Sequence, residues 1–233
     1  MIHQLIFAYP RPGMSEREFH RYWVEEHAVQ YASKIPQIRQ YLVDTRVELS
    51  FDEPEPLWSG VAEIWLANEE EQLASLQTPE FLEGARLDEP RWAAFWRTLV
   101  LDTDAHIVVP GSQKTADTKL FVLVKRKEGL PLNEFRAYSR DAHASVMSRV
   151  PGLRRYYQNH TRDGFYGVGE ATLDCAYQLW FDDVNALRNA MRSPEFQRAM
   201  ADLATFTEPR YVHTLAVREN WIIGPTTLER KNS

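Results

Sequence analysis

The chain opens on a short apolar run, Ile2 to Tyr9, closed by Pro10, Pro12 and Gly13, a pattern that predicts a buried strand and a turn. Ser15 follows with Glu18 three positions on. These are the two halves of a capping box, in which the hydroxyl and the carboxylate satisfy each other's backbone N–H at a helix start. Beyond the cap, Phe19, Tyr22, Trp23, Glu26 and Gln30 recur on one face at helical spacing until Pro36 stops the run, and His27 lies at the edge of that face. Alternating positions predict strands over 38–47 and 58–66, separated by an acidic, proline-bearing loop. A second helix is expected from Asn68, continuing past Pro79, and a fourth strand over 96–108. Strand, helix, strand, strand, helix, strand is the split βαβ order of a ferredoxin-like domain.

The whole pattern then returns. Glu18-Phe19, Tyr22, His27-Ala28 and the closing Ile35-Pro36 to Tyr41 are answered by Glu134-Phe135, Tyr138, His143-Ala144 and Val150-Pro151 to Tyr156. Farther on, Glu63-Ile64-Trp65 is answered by Gln178-Leu179-Trp180, and Pro79-Glu80-Phe81 by Pro194-Glu195-Phe196. His143 follows His27 by 116 positions and Phe196 follows Phe81 by 115, far beyond the roughly 20–50 residues of a solenoid unit. The chain therefore reads as a tandem duplication: a first domain over 1–109, a polar linker over 110–118, a second domain over 119–224 and a loose tail over 225–233. In each half a sheet with helices on one face leaves the other face bare, and two such faces can cover each other. The predicted class is α+β, two ferredoxin-like domains packed sheet to sheet as an eight-stranded barrel within one chain.

Composition narrows what such a fold can do. The net charge of −6 comes from acidic residues in both halves and gives no basic field for phosphates, which disfavours nucleic acid as a partner. Cys175 is the single cysteine, so neither a disulfide nor a thiolate metal cluster is expected. No apolar run reaches membrane-spanning length, and residues 1–14 lack the basic-then-apolar layout of a signal peptide. The expectation is a cytoplasmic protein with a small-molecule substrate, without a membrane partner.

The run Gly13-Met14-Ser15, Glu18-Phe19, Tyr22-Trp23, His27-Ala28, ending in Pro36, Ile38 and Tyr41, resembles the EthD-like branch of the dimeric α/β barrel superfamily. The second copy is similar, with Ser139 for Trp23, Ala142 for Glu26 and Gln178 for Glu63. In most relatives a single domain dimerises, so the resemblance implies that fusion supplies both subunits here, with a homodimer of the fused barrel as a further expectation. It also implies a broad menu of activities, from cofactor-free monooxygenases of aromatic polyketides to decarboxylases, dehydratases, lactone isomerases and haem-dependent enzymes. Fold does not choose among these; the site must.

His27 and His143 are the leading catalytic candidates, because imidazole exchanges protons near neutral pH and one stands at the same helix position in each half. Each can equally pin a helix end through a hydrogen bond. Glu63 sits mid-strand, where a carboxylate must be solvated, paired or shifted in pKa; it suits a charged partner for His27, or a structural pair with a cation such as Arg39. Glu26 is expected on the inward side of the first helix. Tyr41 is a candidate oxyanion donor, or a core ring with its hydroxyl tied down. Trp23, Trp65, Tyr156, His160 and Trp180 complete the expected substrate-binding set. No HxH, HExxH or paired-acid spacing points to a metal, and no cofactor is expected, although haem on a single axial histidine stays open. The resulting expectation is proton-transfer chemistry (decarboxylation, dehydration or isomerisation) on an aromatic or polyketide-like acid. Metal-free oxygenation, and sequestration of haem or a hydrophobic ligand without turnover, are the alternatives.

Overall fold

The computed structural model describes residues 1–50, 55–111, 118–167 and 169–224. Most of the expected linker, and the expected tail over 225–233, fall outside these residues. Among the described residues lie eight strands: β1 Ile2–Ala8, β2 Gln40–Arg46, β3 Gly60–Leu66, β4 Leu99–Val109, β5 Thr118–Arg126, β6 Arg155–Thr161, β7 Cys175–Phe181 and β8 Thr207–Ile223. Their hydrogen-bonded order, β1-β3-β2-β8-β5-β7-β6-β4, is that of a closed barrel. The chain divides into two compact units, each a ferredoxin-like repeat. One comprises Met1–Thr45, Glu55–Asp102 and the chain from Glu219; the other comprises Thr103–Arg218 with the segment that begins at Arg46.

In the first unit, Ser15 caps α1 Glu16–Tyr22 with the predicted capping box formed in full. The helix then widens into a π turn over Trp23–His27 before one last α-helical stretch, Ala28–Gln30. The π turn changes which residues face inward: Phe19, Trp23, His27 and Ala28 are buried, while Glu26 and Gln30, expected on that face, are exposed. After β3, α2 spans Glu69–Ser75, and a second π turn, Glu80–Ala85, opens α3, which continues through Arg86–Asp88 into a 3₁₀ turn over Glu89–Arg91. The fourth strand starts at Leu99 rather than at Trp96, because Phe95–Arg97 forms a further 3₁₀ turn.

β3 pairs with β1 and β2 so that Ala62 lies opposite both Ile6 and Val43, and Glu63 opposite both Leu5 and Leu42. The sheet therefore has one helix-covered face carrying Ile6, Tyr41, Ala62 and Ile64, and an opposite face carrying Leu5, Phe7, Val61 and Glu63. Trp23 bears down on this sheet where β3 begins. A Cβ on Gly60 would come within 2.9 Å of the Trp23 ring and 2.6 Å of the Asp44 carbonyl, so only glycine fits beneath that ring.

The second unit repeats the plan with different filling. Its first helix runs through α4 Leu132–Tyr138, a π turn over Ser139–His143 and Ala144–Met147. Its second helical layer comprises α5 Val184–Met191 and the regular helix α6 Pro194–Phe206. β7 begins at Cys175, and β8 follows the last helix without a break, at Thr207. The ladder keeps register with the first repeat: Gln158 lies opposite Tyr177 as Val43 lies opposite Ala62. Buried rings from Phe135, Tyr156, Tyr177 and Phe206 make this core.

Candidate active site

The helix-covered face of the first unit encloses a cavity of about 390 Å³, walled by Ile6, Trp23, Tyr41, Ala62, Ile64 and Trp92 and reached by His27, Arg86 and Glu89. A cavity of that size and lining suits a small, mostly apolar ligand held by a few polar groups. His27, Tyr41 and Trp23 are thus brought together as the sequence suggested.

His27 is nearly fully buried, and its Nδ1 lies 2.9 Å from Asp88 Oδ2. Tyr22 donates its hydroxyl proton to the other carboxylate oxygen at 2.8 Å, with the Arg91 guanidinium 3.5 Å away. With the Asp88 oxygen as acceptor, the tautomer is fixed: the imidazole donates through Nδ1–H, and Nε2 keeps its lone pair. Burial pushes the His27 pKa below its ordinary value, against the opposing pull of Asp88, so the ring is neutral near pH 7. The Tyr41 hydroxyl, fully buried and bonded to Trp23, is held well above the usual phenol range by desolvation and stays protonated.

Asp88 and Glu89 are absent from the reading of the sequence, and the π turn explains why. Phe196 follows Phe81 by 115 positions, whereas Asp202, the counterpart of Asp88, follows it by only 114. The first repeat spends one extra residue in the π turn Glu80–Ala85, where the second has a regular helix. Once that residue is allowed for, the arrangement recurs: His143 Nδ1 lies 2.8 Å from Asp202 Oδ2, and Tyr138 donates to Asp202 Oδ1 at 2.9 Å.

The surroundings of the second triad differ. Tyr177 takes the place of Ala62, its ring 5.2 Å from His143 and its hydroxyl 2.9 Å from Ser139, which stands where the first repeat has Trp23. Gln158 Nε2 donates to the Tyr156 hydroxyl at 2.8 Å. His160 sits 3.1 Å from Ser139 Oγ and is pushed down to about 3, chiefly by burial and then by Arg140 and Arg136, so it is neutral over the physiological range. His143, Tyr156 and His160 accordingly form a packed polar core.

Glu63 does not join His27. It alternates to the other face of β3, where its Oε2 meets His3 Nε2 at 2.6 Å; Arg39, its expected cation, is paired with Glu71 instead. Trp65 stacks on His3 with ring centroids 4.3 Å apart, and on Trp221 at 5.8 Å. Trp180 lies beneath two cations, Arg155 at 4.3 Å and Lys119 at 5.2 Å. None of these three residues lines the cavity.

No cluster of three or more histidine, cysteine or acidic side chains able to hold a metal occurs among the described residues. Haem would ask for an axial nitrogen, which His27 Nε2 could supply, and for cations to meet its two carboxylates. Arg86 is the one cation among the described residues that line the cavity, so the donor set fits haem poorly. No helix among the described residues is long and apolar enough to cross a membrane.

Solved structures share the fold over almost the full length. An anthrone oxidase-like protein matches with a TM-score of 0.63 at 10% identity, covering 96% of this chain and 94% of its own. A Fusobacterium nucleatum protein provisionally described as a monooxygenase matches with a TM-score of 0.61 at 10% identity, covering 96% and 95%. A Lactobacillus acidophilus protein with the same provisional description gives 0.51 at 11% identity, covering 96% and 98%. No curated protein matches the chain. The EthD domain family matches twice, over residues 11–95 and 127–210, and each match contains one complete tyrosine–aspartate–histidine set. The chain belongs to the EthD domain family, as a tandem pair.

Proposed function

We propose that the first repeat carries a cofactor-independent enzyme site, in which His27 removes and returns protons on a flat carbonyl compound of aromatic or polyketide type. The observation that supports this most is the clamping of His27 Nδ1 by Asp88 at the wall of an apolar cavity. A neutral imidazole whose other nitrogen is held by a carboxylate is a poised general base, and the imidazolium formed on proton transfer gains the carboxylate's charge. The apolar walls keep competing water from the acidic C–H, and Arg86 at the exposed rim suits a substrate carboxylate. This reading favours isomerisation, dehydration or decarboxylation.

The same enolate opens a second route, metal-free attack on oxygen. The described roles of the structural neighbours lend it weight. Both routes begin with proton abstraction by His27, so His27→Gln should abolish both, and oxygen consumption separates them.

The first test is native mass spectrometry of the purified protein, with an absorption spectrum of the same sample. A bound flat aromatic acid supports the reading. Bound haem in stoichiometric amount overturns its cofactor-free part.

A further inference from the structure

Glu89 is the one carboxylate among the described residues that line the cavity, and the base has no use for it. It is half-buried, at the first position of the 3₁₀ turn that follows Asp88. Chain geometry therefore sends two adjacent acids to different tasks, Asp88 to His27 Nδ1 and Glu89 to the cavity. We infer that Glu89 is a catalytic acid, the proton donor that works opposite His27, and that the substrate is accordingly an enolisable ketone whose oxygen takes the Glu89 proton. This rests on the proton-abstraction reading of His27.

The step balances within the protein. His27 Nε2 takes the proton from the carbon next to the carbonyl, the C–H electron pair becomes the new C=C bond, and the carbonyl oxygen takes the carboxyl proton of Glu89. The site then holds an enol, an imidazolium and a carboxylate. Return of the His27 proton to the same carbon, with the enol proton passing back to Glu89, restores the ketone and exchanges its hydrogen. Where the ketone carries a β,γ C=C, return to the γ-carbon moves that double bond to the α,β position and gives the conjugated isomer. In both cases His27 and Glu89 are restored.

The electrostatics agree with the assignment. Desolvation pushes Glu89 up to about 7, Asp88 adds to the effect, and Arg86 opposes it. From the other elements that wall the cavity, the titratable groups are the neutral His27 and the neutral Tyr41; β1, β3 and β4 present Gln4, Ala62, Ile64 and Val100, which carry no charge. Two groups whose surroundings drive them in opposite directions from their ordinary values mark a base and an acid able to coexist uncharged near neutrality.

The experiment is proton–deuterium exchange at the activated CH₂ of 2-tetralone in D₂O, followed by NMR between pD 5 and 9, with the full-length protein and its Glu89→Gln, Glu89→Asp and His27→Gln variants. The native protein should accelerate exchange with a bell-shaped profile: the acid limb reports His27 and the basic limb, near 7, reports Glu89. Glu89→Gln should lower the rate about 100-fold, at the low end of general acid catalysis, and erase the basic limb. Glu89→Asp should keep a basic limb. An unchanged rate and basic limb in Glu89→Gln, with exchange lost in His27→Gln, would overturn the role of Glu89 and leave that of His27 standing. No acceleration by the native protein would overturn both.

Discussion

Asp88 Oδ2 meets His27 Nδ1 at 2.9 Å, and Asp202 Oδ2 meets His143 Nδ1 at 2.8 Å, although the two aspartates stand at unequal distances from their histidines along the chain. The geometry is common to both repeats; the first sets it against a cavity wall, and the second packs it against the rings of Tyr177 and Phe206.

Asp88→Asn should therefore separate function from fold. The amide retains the size of the carboxylate but cannot stabilise an imidazolium, and it permits the wrong histidine tautomer, so tetralone exchange should fall by about 10²- to 10⁴-fold. Asp202→Asn should leave exchange within about twofold of the native rate while costing about 1–3 kcal/mol of stability for a buried bond half removed. Exchange kinetics and urea denaturation on both variants check this. Equal loss of activity in the two would place chemistry in the second repeat as well.

Exchanging the fillings offers a second check. Ala62→Phe should occupy the cavity with a ring, as Tyr177 does at the matching position, and abolish binding of 2-tetralone while shifting Tm by only a few degrees. Tyr177→Ala should destabilise by about 3–5 kcal/mol, the range for a large ring removed from a packed core. Calorimetric titration and thermal melts distinguish the two.

Glu63→Gln reproduces what the second repeat already has at Gln178. Because Glu63 faces away from His27, exchange should stay within about twofold of native across the pH range. Loss of the acid limb in this variant would show that Glu63 couples to the base after all.

Acid should destabilise the protein over a defined window. His27, His143 and His160 have folded pKa values below the ordinary 6.5, the last at about 3, so the unfolded chain binds more protons than the folded one between those values and 6.5. Stability is then fully present above 6.5 and falls as pH drops, by about 1.4 kcal/mol per pH unit for each histidine still neutral in the fold. Glu89 acts with the opposite sign: its folded value near 7 makes stability fall as pH rises from 4.5 to 7. Urea midpoints from pH 4 to 8 should show both, with Glu89→Gln more stable than the native protein at pH 8 and equal to it at pH 4.5.

The sequence carried the duplication, the strand order and the Ser15 cap, because each is written in local periodicity or in residues a few positions apart. It also carried Trp23, His27 and Tyr41 as neighbours. It misplaced Glu26, since steps of 3.6 residues cannot foresee a turn of wider pitch between Trp23 and His27. Asp88 and Glu89 escaped for the same reason on the facing helix, where one inserted residue broke the constant offset between repeats. Glu63 was misassigned because strand alternation reveals that Val61, Glu63 and Trp65 share a face, but not which face.

Tyr177 standing where the first repeat has Ala62 has a genetic corollary. In an assembly of two identical chains, any substitution appears in both subunits, so closing one pocket closes its twin. Covalent fusion removes that obligation. One half of this gene can fill its core with a ring, as at Tyr177, while the other keeps the space that Ala62 leaves open.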